Sequence, residues 1–187
     1  AVQIVLAKRP AGDVTADCFR RETIKLPALA DGQVLIRSRF LSLDPYMRPR
    51  MTETRSYVPP FELDKPLTGG SVGEVIESRN ERYAKGDVVM GLLDWATHTV
   101  HDGKGLRKID PNLAPLSAHL GVLGMPSFTA WYGIRHICKP KAGESRSWWA
   151  REVGIGAPMR VLRSAAMRFQ RCGSLIDRVA WSVALDG

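Results

Sequence analysis

Cysteine is scarce: Cys18, Cys138 and Cys172 are odd in number and lie far apart in a chain of 187 residues. That spacing gives neither a disulfide framework nor a CxxC metal knuckle, and it favours a reducing compartment. Long apolar runs are also missing. None approaches the roughly 20 residues that span a bilayer, and the opening AVQIVLAKRPAG lacks the basic-then-apolar order of a signal peptide. The expectation is a soluble, cytoplasmic protein without membrane contact. Lysine is absent from residues 145–187, which carry seven Arg against three acids. Residues 1–144 carry 20 basic against 16 acidic side chains, so each part contributes a surplus of four to the net charge of +8. A surplus so concentrated in the tail does not make one basic surface, and no nucleic-acid partner is expected.

Several catalytic signatures are lacking. There is no G-x-S-x-G elbow and no P-loop. GIGAPM (154–159) is a poor dinucleotide fingerprint, because Met159 stands at its third glycine and RSWWARE before it is no apolar strand. His98 and His101 lie three apart in HTVH. On a strand those positions face opposite ways, so they chelate poorly, and no cysteine is near enough to complete a zinc site. No metal is expected.

What is there reads first as β structure. VQIVLA (2–7), QVLIRSRFLSL (33–43), GGSVGEVIES (69–78), GDVVMGLL (86–93), WATHTVHDG (95–103) and LRKID (106–110) are short segments bounded by Gly, Asp or Pro. In the second, apolar residues alternate at Val34 and Ile36 and then Phe40, and the glycines of GGSVG would permit a tight bend or close backbone approach. Many short strands at this spacing predict a barrel or rolled sheet. Helix is expected over 115–124 and again over 126–138, where Pro126 suits a first turn.

Two stretches carry candidate chemistry. In LSLDPYMRPRM (41–51), the Asp44-Pro45 turn points the following side chains off the sheet, and Tyr46 offers an apolar ring with a hydroxyl donor. Tyr57, on the Pro-stiffened loop RSYVPPF, could offer the same from another side. Both tyrosines could equally be packing a loop against the barrel. Met125 and Thr129, one turn apart, could contact a flat ring; a helix start and core packing would explain them as well.

Taken together, LSLDPYMRPRM, SYVPPFELDKPLTGGSVGEVIES, GDVVMGLLDWATHTVHDGKGLRKIDP and GVLGMPSFTAWYGI resemble the zinc-independent medium-chain dehydrogenase/reductases. Within them the likeness is to the prostaglandin reductase, alkenal double-bond reductase and curcumin-reductase-like branch, and it covers residues 1–144. The resemblance implies a mainly β fold with some α. A GroES-like β-barrel would occupy 1–115 as substrate domain, and a helical connection over 116–144 would lead toward a Rossmann domain. It also implies NADPH as cofactor and reduction of the carbon–carbon double bond of α,β-unsaturated ketones or aldehydes. Tyr46 and Tyr57 match substrate-lining positions, Met125 and Thr129 match positions beside the nicotinamide, and no side chain is assigned as catalytic.

After KPKAGE the pattern breaks. The family continues with an apolar strand and a glycine-rich turn that holds the pyrophosphate, whereas 145–187 begins SRSWWARE. This atypical Arg/Trp-rich tail has the composition that a frame-shifted reading of a GC-rich region would produce. The rival is a genuine replacement tail in which Met159, Leu162, Ala166 and Phe169 form one apolar helical face. Either way the expectation is a truncated cofactor half, doubtful NADPH binding and little activity. The alternative function is a non-catalytic GroES-like binding module. Apolar surface left on the side of the missing domain would invite a homodimer.

Overall fold

A computed structural model describes residues 1–53, 58–139, 146–148 and 159–161. Strands dominate as far as Lys108. β1 (Val2–Leu6) pairs antiparallel with β2 (Phe19–Thr23). A five-stranded antiparallel sheet then contains β3 (Val34–Leu41), β4 (Thr68–Ser78), β5 (Val88–Asp94), β6 (His98–His101) and β7 (Arg107–Lys108), in the order β6-β3-β4-β5-β7. Bridges from Gln3 to Ala96 and from Val5 to Pro66 tie β1 to the loops beside β5 and β4, rolling the two sheets into one barrel.

Inward-facing residues of β3, β4 and β5 form the main core: Val34, Ile36, Val75, Val89 and Leu93, closed by Tyr83 and Leu106. Each fully buried aliphatic side chain of this kind contributes about 1.5–3 kcal/mol relative to exposure. The Tyr83 hydroxyl donates to the carbonyls of Gly103 and Leu106, at 3.1 and 2.8 Å, so its polar end is satisfied inside the apolar cluster. A second cluster, Leu6, Met47, Met51, Phe61 and Leu67, lies where β1 meets the loop that follows β3.

Two departures from the sequence reading lie within β3. The alternation of Val34 and Ile36 does not run on to Phe40; Ser38 and Leu41 are the next buried positions. A register shift between Ser38 and Phe40 is the cause, since a bulge adds a residue and reverses the faces beyond it. β2 was not expected at all. Its sequence, FRRET, is largely charged, because it is an edge strand whose outer side meets water.

The helical segments begin where the pattern places them but in other forms. Residues 115–124 hold a 3-10 turn (Leu116–Leu120) instead of an α-helix. α1 (Met47–Arg50) is a single turn after β3. α2 spans Met125–Tyr132 and tightens no further: it widens into a π-helical turn over Gly133–Cys138. β8 (Arg146–Trp148) pairs antiparallel with β9 (Met159–Val161). The proposed helical face thus loses its first member, Met159, to a strand, because ladder pairing with Trp148 takes up its backbone. The other members of that face, Leu162, Ala166 and Phe169, lie outside the described residues.

Candidate functional site

The loop after β3 is built before it is decorated. Ser42 keeps the sheet going for one residue, its N–H donating to the Gly70 carbonyl at 2.8 Å. Its hydroxyl then donates to the Asp44 carboxylate at 2.9 Å, which folds the Asp-Pro turn back on itself. Met47 N–H to Asp44 carbonyl (3.0 Å) and Arg48 N–H to Pro45 carbonyl (3.1 Å) wind the chain into α1. Tyr46 stands at the start of that turn, half-buried, with its ring against the second core cluster beside Ile4, Phe19 and Trp95. The packing role that the sequence left open for Tyr46 is therefore real.

The arginines around Pro49 hold this loop in place. Arg48 donates to the Gly12 carbonyl. Arg50 donates from Nε to the Pro59 carbonyl at 2.9 Å and lies over the Phe61 ring, 3.9 Å from its centroid. From β1's side Arg9 reaches the carbonyls of Met51 and Phe61 at 3.3 and 3.2 Å, and Glu53 at 3.1 Å. Guanidinium groups suit this work because several donors leave one planar group in fixed directions. The sequence pattern assigned no role to Arg9 or Phe61; a cation 41 residues upstream of Arg50 leaves no local signal.

The helical side of the site meets the loop at Gly70 of β4. A Cβ built there would lie 3.9 Å from both Leu120 Cδ2 and Ser42 Cβ, so the 3-10 turn and the loop after β3 flank one strand position. Neighbouring glycines serve closer contacts. A Cβ on Gly69 would sit 2.7 Å from Met47 Cε, and one on Gly73 2.5 Å from Ile36 Cγ2 and 2.7 Å from the Arg37 carbonyl oxygen. The glycines of GGSVG thus admit close approach, one of the two uses expected of them.

Beyond the 3-10 turn, Gly124 starts α2 and accepts from Phe128 N–H at 3.1 Å. Met125, 71% exposed, and Thr129, partly buried, lie one turn apart on it. These two share a helix edge, whereas Tyr46 belongs to the layer over the second cluster. Tyr57 lies outside the described residues.

The ionisable groups nearby have plain causes. Burial pushes the Asp94 carboxyl above its ordinary range, against a small opposing pull from His101. Burial also lowers His98, helped by the positive N-terminus and Arg37. No three His, Cys, Asp or Glu side chains converge on a cation site among the described residues. His98 and His101 close the two ends of β6, paired with Arg37 and Val34.

Residues 2–109 match the family described as the N-terminal domain of oxidoreductase. The chain belongs to that family. Its relatives place it among the zinc-independent medium-chain dehydrogenase/reductases, in the branch of curcumin, prostaglandin and alkenal reductases. It is 43% identical over 153 residues to the NADPH-dependent curcumin reductase of Escherichia coli, covering 82% of this chain and 44% of that protein. It is 40% identical over 143 residues to prostaglandin reductase 1 of Mus musculus, covering 75% of this chain and 41% of that one. The structure of CurA from Vibrio vulnificus in complex with NADPH superposes with a TM-score of 0.71 at 42% identity, over 77% of this chain and 43% of that one. The chain thus spans less than half the length of these family members. The barrel described above is their GroES-like fold. No described helix is long and apolar enough to cross a membrane.

Proposed function

We propose that this chain supplies the substrate-facing barrel of an NADPH-dependent reductase acting on the carbon–carbon double bond of α,β-unsaturated ketones and aldehydes. The observation that carries the reading is the likeness, at 42% identity, to a CurA structure holding NADPH. In this reading residues 1–115 form the substrate domain and 116–144 the connection to the cofactor side. Tyr46 and Tyr57 line the substrate pocket, and their phenols can donate to the carbonyl oxygen, where negative charge builds during reduction. NADPH supplies the hydride when bound.

The described residues fit one end of that cofactor. Met125 and Thr129 present a thioether and a hydroxyl one turn apart on an exposed helix edge, which suits a flat ring bearing an amide. Among the described residues no glycine-rich turn joins a strand to a helix N-terminus, the arrangement that would take a pyrophosphate. Residues 145–187 carry Arg146, Trp148, Trp149 and Arg151 where a family member has such a turn. We therefore assign residues 1–187 by themselves weak NADPH binding and little turnover, since several charge-assisted hydrogen bonds of about 1.5–3 kcal/mol each go unmade. A cytoplasmic location and a homodimer belong to the same proposal.

Two measurements on purified 1–187 test it. Titration with 3-nonen-2-one, followed by backbone NMR, is expected to perturb Ser42–Met47, and Tyr46→Phe should weaken binding several-fold. No perturbation there would sink the substrate assignment. Calorimetric titration with NADPH should give no micromolar binding; micromolar binding with enone-dependent NADPH oxidation would overturn the assignment of low activity.

A further inference from the structure

A glycine inside a strand weakens it, since it loses the most conformational freedom on folding and has no side chain to pack. β4 and β5 together carry four: Gly69, Gly70, Gly73 and Gly91. Three have a reason in the packing. A Cβ would stand 2.7 Å from Met47 Cε at Gly69, 2.5 Å from Ile36 Cγ2 at Gly73 and 2.6 Å from Leu106 Cδ2 at Gly91. Gly70 has no such reason. Its φ is outside the left-handed region, and its pairing with β5 runs without a bulge from Thr68 to Glu74. Nothing described lies nearer its missing Cβ than 3.9 Å. The use of a strand glycine that remains is close approach by something from outside the described fold.

What stands around this bare position belongs to both halves of the candidate site. Ser42 opens the loop carrying Tyr46, and Leu120 ends the turn leading to Met125 and Thr129; both flank Gly70 at 3.9 Å. Gly70 itself is half-buried, so its surface can be reached. Leu92, its register partner on β5, shares that face and is 64% exposed. We propose that Gly70 is a specificity-determining residue: the alkyl chain on the β-carbon of an enone crosses its bare backbone toward Leu92. The missing side chain sets how bulky a chain the cleft admits.

The chemistry of the strip suits this occupant. Ser42, Leu120 and Leu92 carry no charge, and the Ser42 hydroxyl is already given to Asp44 at 2.9 Å. An alkyl chain gains by covering Leu92 and asks for no hydrogen bond in return. The assignment rests on the reductase reading and deepens it, since it names the part of the substrate that Gly70 meets. The two stay separable. The reading requires that enones bind, whereas this inference requires that their binding depend on chain length through Gly70.

The test titrates purified 1–187 and its variants with 3-nonen-2-one, which bears a pentyl chain, and 3-penten-2-one, which bears a methyl, following backbone NMR shifts. Gly70→Val is expected to weaken 3-nonen-2-one by about tenfold or more and 3-penten-2-one by less than about twofold. Gly70→Ala should fall between wild type and Gly70→Val while leaving the urea midpoint in place. Leu92→Ser, at an exposed position, should weaken the long enone several-fold and spare the short one. Adding Leu120→Ala to Gly70→Val should recover part of the loss, because it removes carbon atoms from the other side of the gap. Equal losses for both enones, the sign of a distorted strand, would overturn the inference. So would full affinity for 3-nonen-2-one in both Gly70→Val and Leu92→Ser, which would leave the functional reading standing. If wild type bound neither enone, the reading would fail and this inference with it.

Discussion

Arg50 combines two contacts that a shorter or rounder cation could not make together: a hydrogen bond to the Pro59 carbonyl and a face-on position over Phe61. Arg50→Met is expected to cost about 1–2 kcal/mol in urea unfolding, from the lost ring contact and hydrogen bond. Arg50→Lys should recover less than half of this, since an ammonium has no planar fork; full recovery would mean that only charge matters. Asp94 gives a prediction of opposite sign. Its carboxyl is raised by burial, so the native fold favours the protonated form. That contribution is complete below the ordinary Asp range and is lost as pH rises through the native value. Asp94→Asn should therefore raise the melting temperature at pH 7 and leave it nearly unchanged near pH 3. A fall at pH 7 would show that the charged form makes a favourable contact.

At the scale of elements, β4 is where the fold is least forgiving. Its glycines differ in what stands beside them, and the difference predicts a ranking. Gly73→Ala would drive a methyl against Ile36 and against the backbone carbonyl of Arg37, which cannot swing away. The expected loss is about 3 kcal/mol. Gly70→Ala meets only ordinary contacts at 3.9 Å and should change stability by less than about 0.5 kcal/mol. Comparable denaturation midpoints for the two variants would refute the placement of β3 against β4. On the outer face of the same pair, Glu74 accepts from Arg37 at 2.9 Å and Arg39 at 3.0 Å, and these bonds, Arg37's foremost, hold its carboxyl below the usual range. Stability from Glu74 is thus present above the ordinary value of 4.5 and lost as pH falls through the lower native one. Because the group is partly solvated, Glu74→Gln should cost only about 1 kcal/mol at pH 7. The difference from wild type should vanish in strong acid.

For the whole molecule, stability is unevenly distributed. The closed part is the barrel, where β3, β4 and β5 share the main core. The open part is the run from Leu116 to Cys138, where, among the side chains described, His119 is buried and most of the large apolar ones are exposed. Hydrogen exchange on dilute protein should accordingly be slowest in β3–β5 and fast in α2, by at least about two orders of magnitude. Uniform protection across both would contradict the division. The same asymmetry fits a chain whose likeness to longer family members covers little beyond this open run.

The amino-acid sequence by itself determined the barrel class, the positions of six of its strands and the place where helix begins. Those depend on local pattern: alternation, turn residues, a proline after Met125. It also carried the family, through the resemblance of stretches such as LSLDPYMRPRM and GVLGMPSFTAWYGI. Only the tertiary structure decided the rest. The phase of β3 beyond Ser38 changes at a bulge that no alternation announces. β2 reads as a charged loop until β1 lies beside it, since an edge strand needs no apolar face of its own. The use of Arg9 depends on its meeting Met51 and Phe61 across a long separation in the chain. Tyr46 was legible as a tyrosine on a turn, but that its ring seals the second cluster follows from where β1 and Phe61 come to rest. Local pattern fixes which segments can be strands or turns; long-range packing fixes which side chains meet, because those contacts join residues whose sequence neighbours say nothing about each other.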